Sequence, residues 1–77
     1  MNKEEIVERV KKSFLGHGVA IQKAIITEDK ELYVLSVSGQ CYSLESFTRL
    51  NGYFDGYDYN ILFQIESGNI LVTISKG

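Results

Sequence analysis

The sequence has one cysteine, no proline and no tryptophan, and its eight basic residues are outnumbered by ten acidic ones. A single cysteine cannot form an intramolecular disulfide, whereas small secreted domains are usually held together by several. The apolar runs are only a few residues long, which is too short to span a membrane, and the amino-terminal residues lack the apolar stretch of a signal peptide. These absences predict a soluble cytoplasmic protein.

The shortage of basic residues also bears on the kind of partner. The formal net charge is −2, and residues 31–77 contain two basic side chains against five acidic ones. Proteins that bind nucleic acid gain much of their affinity from Lys and Arg that neutralise phosphates. We therefore expect no direct contact with nucleic acid and no membrane binding, and favour a protein partner with a basic surface.

The residues that are present indicate a folded chain. With 77 residues, 44% of them hydrophobic and 23% charged, the composition is that of a globular protein, and the length predicts a single compact α+β domain over residues 1–77. Apolar spacing predicts a first helix over residues 2–15, with Asn2 as its N-cap and Gly16 or Gly18 as its end.

The middle of the chain predicts a hairpin, a short strand and a short helix. β-Branched and alternating residues predict strands over 19–27 and 31–38, with a register that the turn composition leaves open. A tight turn at Gly39 would lead to a short third strand over 41–43. Ser43 would then cap a two-turn helix that ends at Asn51–Gly52.

The carboxy-terminal residues 61–75 predict a second hairpin. A two-residue turn at Gly68–Asn69 would pair Ile65 with Val72 and Phe63 with Ile74, so that the apolar residues share one face. The predicted order is α-β-β-(β)-α-β-β, an antiparallel sheet of four or five strands with an N-terminal helix and a short second helix, both on one face.

Few residues could carry catalysis. His17 is the only histidine and lies between two glycines at a helix end, where it is expected to be a polar terminal residue. Cys41 precedes a predicted helix, but no paired base is evident, so an ordinary strand thiol is expected. One His and one Cys fall short of a zinc site. We predict no metal, no cofactor and no enzymatic activity.

Residues 51–60 form the most unusual segment, because they contain three Tyr, one Phe, two Asp and two Gly but no Lys or Arg. This mixture is typical of binding loops, in which rigid aromatic rings supply contact area. In the predicted site, Tyr57 and Tyr59 are aromatic anchors, and Asp55 and Asp58 match a basic patch. Tyr53 and Phe54 complete the site unless they fold inward to close the core.

The expected function is binding without catalysis. In size, acidity and scarcity of catalytic residue types, the chain resembles many phage- or plasmid-borne regulators and inhibitors, anti-CRISPR proteins among them. That resemblance implies an antagonist of a basic nucleic-acid-binding protein. Two alternatives stay open: a small-molecule or nucleotide-binding protein, and a small hydrolase that uses Cys41 or His17.

A homodimer is also expected. Leu62 and Leu71 fall on the otherwise polar face of the second hairpin, and no proline protects a strand edge. A chain this short buries only about 60% of its unfolded surface, so surplus apolar area favours two-fold pairing. The pairing would use either a strand edge or the face that carries these leucines.

Overall fold

A computed structural model describes residues 1–15, 17–39 and 43–76 as an α+β fold with the order α-β-β-α-β-β. The helices and strands, in chain order, are α1 (Lys3–Ser13), β1 (Gly18–Ile26), β2 (Glu31–Ser38), α2 (Leu44–Phe54), β3 (Asn60–Glu66) and β4 (Asn69–Lys76). The strands form one antiparallel sheet in the order β1-β2-β4-β3. Of the predicted third strand, residues 41 and 42 lie outside the described residues.

The first helix begins where its capping residue predicts. The Asn2 side chain accepts a hydrogen bond from the Glu5 backbone N–H at 2.8 Å, which satisfies one of the free donors of the first turn. The helix ends at Ser13, two residues earlier than predicted. Gly18 does not end it, because Gly18 is already the first residue of β1.

Both helices pack on one face of the sheet, and the core lies between them and the two central strands. Leu35 on β2 pairs with Val72 on β4, and both are fully buried. The remaining core side chains are Ile6, Val10, Phe14, Tyr33, Val37, Leu50, Phe54, Ile70 and Ile74. Arg49 of α2 donates to the Ser13 carbonyl from Nε and Nη2 at 3.1 and 3.0 Å, which ties α2 to the end of α1.

The first hairpin has the register that the sequence left open. Ile26 pairs with Glu31, and an irregularity between Ile21 and Lys23 shifts the pairing by one residue. The extra residue shifts the alternation of side chains by one. Odd-numbered residues of β1 therefore face the core before the bulge and the opposite side of the sheet after it. Ile21 therefore packs against the core, whereas Ile25 lies on the opposite face of the sheet beside Leu32.

The second hairpin has the predicted faces but not the predicted turn. Ile65 pairs with Ile70 instead of Val72, and the turn is Ser67–Gly68 instead of Gly68–Asn69. Both turn residues have positive φ, 51° and 81°, as a type I′ turn needs. The register differs from the prediction by two residues, and an even shift keeps each side chain on its face.

The second helix is longer than predicted. It continues through Asn51 and Gly52 to Phe54. A glycine inside a helix costs about 1 kcal/mol relative to alanine. The extra turn buries Phe54, which is 4% exposed, and a buried side chain of this kind contributes about 1.5–3 kcal/mol, which offsets that cost. Within the described part of the chain, no helix has the length and apolar character needed to cross a membrane.

Candidate functional site

The candidate site is a turn between α2 and β3, here called the acidic turn and defined as residues 55–58. Gly56 and Asp58 have φ values of 82° and 57°, a left-handed conformation that glycine and aspartate tolerate better than most residues. The Tyr57 backbone N–H donates to the Phe54 carbonyl at 3.2 Å. The segment is thus a compact turn, shorter than the predicted loop over 53–59.

Exposure divides the six predicted site residues. Asp55 and Asp58 are exposed on either side of Tyr57, which is 44% exposed. Tyr53 and Phe54 belong to α2 instead of a loop; Tyr53 is 36% exposed, whereas Phe54 is part of the core. Tyr53, Asp55, Tyr57 and Asp58 are therefore the site residues that a partner can reach.

Arg9 of α1 contacts the acidic turn, and sequence reasoning missed it. Its guanidinium carbon lies 4.9 Å from the centre of the Tyr57 ring, and its Nη1 donates to the Tyr53 carbonyl. A cation over an exposed tyrosine contributes about 0.5–1 kcal/mol. Arg9 is 44 residues from Tyr53 in the chain, and its position on the polar side of α1 was the only signal available.

Tyr59 is a packing residue. Its hydroxyl donates to Glu31 Oε2 at 2.9 Å, and its ring packs edge-on against Phe54 with centroids 5.7 Å apart. The Lys76 ammonium lies 5.2 Å from the ring centre. Burial, followed by the hydrogen bond to the Glu31 carboxylate, raises the pKa of Tyr59 to about 12. Tyr59, predicted to be an aromatic anchor for a partner, is thus half-buried and held by contacts within the protein.

Tyr33 shares the same carboxylate. Its hydroxyl donates to Glu31 Oε2 at 3.2 Å, and burial together with the charge of Glu31 raises the pKa of Tyr33 as well. One acidic side chain of β2 thus accepts hydrogen bonds from two tyrosines. The arrangement fixes the β3 end of the acidic turn to the central strands.

His17 has a structural partner. Its Nδ1 donates to the Ser38 carbonyl at 3.0 Å, which links the start of β1 to the end of β2. The ring also lies so close to Gly39 that a side chain there would collide with it. Cys41, the other residue of the hydrolase alternative, lies outside the described residues. Among residues 1–15, 17–39 and 43–76, no group of three or more His, Cys, Asp or Glu could hold a metal ion.

Comparison with protein families, curated proteins and solved structures found no match for this chain. The chemistry of the acidic turn is therefore the basis for assigning a function. Two exposed carboxylates beside an exposed ring can accept hydrogen bonds from Lys or Arg and attract them at a distance. Asn51 and Asn60 flank the same open depression and add amide groups.

Proposed function

We propose that this protein is a non-enzymatic binding protein that uses the acidic turn to contact a basic surface on a partner protein. The observation that carries the proposal is the exposure of Asp55, Tyr57 and Asp58 on one turn whose two ends are held by packing. An anchored turn loses little conformational entropy on binding, and aromatic rings beside charges are frequent interface anchors.

We propose that the protein acts in the cytoplasm and inhibits or regulates a basic nucleic-acid-binding protein. This is the role of phage- or plasmid-borne antagonists. Support comes from the charge distribution, since five of the seven charged residues after residue 30 are acidic. An acidic surface competes for the cationic groups that such a partner uses to hold phosphates.

The experiment is capture of basic, nucleic-acid-binding proteins on the immobilised wild-type chain, followed by affinity measurement with variants. Asp55→Asn/Asp58→Asn removes two charges, and asparagine tolerates the positive φ of Asp58. The matched control, Glu28→Gln/Asp29→Asn, removes the same charge from the exposed turn between β1 and β2. We expect the first pair to weaken binding about tenfold or more, mainly at low salt, and the control pair to bind like wild type.

Tyr57→Ala tests the aromatic anchor. We expect about thirtyfold weaker binding, which corresponds to about 2 kcal/mol for a true anchor. The melting temperature should fall by no more than about 8 °C, the effect of losing the contact with Arg9. Equal binding by all variants, or no captured protein, would count against the proposal. A ligand-dependent rise in melting temperature with nucleotides would support the small-molecule alternative instead, and turnover lost with His17→Ala or Cys41 alkylation would support the hydrolase.

A further inference from the structure

The face of the sheet that points away from the helices carries an apolar band, here called the open face. The strand pairings place Ile25, Leu32, Val34, Leu71 and Leu62 on it, and every strand contributes at least one of them. Leu62 is 57% exposed and the other four are half-buried. The two described helices pack on the core face, so they leave this band uncovered.

The charges on the open face are few and opposite in sign. In the described strands they are Lys23 on β1 and Glu66 on β3, the two edge strands, while the central strands present apolar, hydroxyl and amide groups there. The face is therefore formally neutral, although the whole chain carries −2. A neutral, apolar surface with opposite charges at its two edges is complementary to a second copy of itself.

The size of the face also suits a dimer. The sheet has four strands of seven to nine residues. With about 4.8 Å between strands and about 3.3 Å per residue, the open face measures roughly 19 × 26 Å and covers on the order of 500 Å². Two such faces bury on the order of 1,000 Å² together, the area at which specific interfaces begin.

We propose that two copies of this chain associate through their open faces to form a two-fold symmetric sheet-on-sheet dimer. Two sheets that pack face to face lie about 10 Å apart with their strands at about 30°. A two-fold axis that runs along the strands places β1 of one copy over β3 of the other. The strand registers put Lys23 level with Leu62, so at each edge of this dimer the aliphatic part of Lys23 covers Leu62 of the other copy, and Glu66 lies four residues further along the same strand. The central parts of the apolar bands meet in the middle.

The test compares two substitutions on the same strand. Leu62→Lys introduces a charge into the band, and Ile65→Lys introduces the same charge on the other face of β3, where Ile65 is 70% exposed. Light scattering and sedimentation from micromolar to millimolar concentration give the mass, and circular dichroism confirms that each variant is folded. We expect wild type and Ile65→Lys to reach twice the monomer mass of 8.7 kDa. Leu62→Lys should raise the dimer Kd about thirtyfold or more, the effect of losing an interface anchor.

Concentration-dependent melting provides a second readout. Association stabilises the folded state by mass action, so the melting temperature of wild type and Ile65→Lys should rise with concentration, and that of Leu62→Lys should rise less. A wild-type chain that stays at the monomer mass throughout overturns the proposal. Equal dimerisation of Leu62→Lys and Ile65→Lys also overturns it, because that result would indicate pairing through a strand edge. Loss of the dimer in Ile65→Lys alone overturns it as well.

Discussion

At the scale of single residues, Glu31 connects the candidate site to the core. Its Oε2 accepts hydrogen bonds from Tyr59 at 2.9 Å and from Tyr33 at 3.2 Å, and Tyr33 is 1% exposed. A carboxylate with two phenol donors is better satisfied than one with a single donor, and each hydrogen bond to a charged group contributes about 1.5–3 kcal/mol. Tyr59 therefore positions the acidic turn without belonging to its exposed surface.

Tyr59→Phe should lower the free energy of unfolding at neutral pH by about 1–2 kcal/mol, because Glu31 loses its shorter hydrogen bond while the ring packing on Phe54 stays. Chemical denaturation measures this change. Tyr57→Phe is the control, since it keeps the ring beside Arg9, and the Tyr57 hydroxyl makes no hydrogen bond to any of the residues that the structure describes. Equal losses in the two variants would contradict the structural role of the Tyr59 hydroxyl.

The same variant has a pH signature. The pKa of Tyr59 is raised to about 12 in the folded state from about 10 when unfolded, so the unfolded state loses its proton first as the pH rises. The contribution of the neutral hydroxyl is complete below pH 10 and is lost between pH 10 and about 12. The stability of wild type should therefore fall more steeply across this range than that of Tyr59→Phe.

At the scale of elements, the second hairpin depends on its turn. Ser67 has a φ of 51° and Gly68 a φ of 81°. A type I′ turn places both central residues in this region, and Asn-Gly is its preferred pair. Serine is a poorer residue than asparagine at the first position, so the native turn is not optimal.

We expect Ser67→Asn to raise the free energy of unfolding by about 0.5–1 kcal/mol and Gly68→Ala to lower it by about 1–2 kcal/mol, because a side chain at positive φ is strained. Open space surrounds Gly68, so a collision cannot explain the loss. Thermal melts of both variants measure the changes. Opposite signs support the observed turn, whereas a turn at Gly68–Asn69 would leave Ser67→Asn without effect.

The sequence predicted which strand residues of a hairpin share a face better than it predicted the register of strand pairing. Alternation placed Phe63 and Ile65 on the core side, and the observed shift of two residues preserves that side. The turn itself was harder to predict, because Ser67–Gly68 and Gly68–Asn69 both contain residues that tolerate positive φ. The bulge near Gln22 gave no signal in composition, so the placement of Ile25 on the open face could not be predicted.

The site was predicted only in part, for a related reason. Aromatic and acidic composition located the exposed turn, but composition does not distinguish Tyr57, which is 44% exposed, from Tyr59, which is bonded to Glu31. That difference depends on β2 and β3 lying in one sheet with β4 between them. The extension of α2 to Phe54 likewise depends on burial against the core, which outweighs the preference of Asn51–Gly52 to end a helix.

At the scale of the whole molecule, the core is a single layer between two helices and one face of a four-stranded sheet. The free energy of unfolding of a chain this short is small, on the order of 5 kcal/mol. Leu35 is fully buried on a central strand, between Ile21 of β1 and Val72 of β4. Loss of one such side chain is therefore a large fraction of the total stability.

Leu35→Ala should cost about 3 kcal/mol or more, because the removed methyl groups leave a cavity that surrounding strands cannot fill. For a domain of this size, that corresponds to a fall in melting temperature of roughly 12–24 °C. Ile65→Ala is the matched control, since Ile65 lies on the same side of the sheet but is 70% exposed, and its loss should shift the melting temperature by only a few degrees. Calorimetry on both variants at one protein concentration measures the difference. Similar shifts for Leu35→Ala and Ile65→Ala would mean that the core continues to the end of β3, over Ile65, instead of centring on the two middle strands.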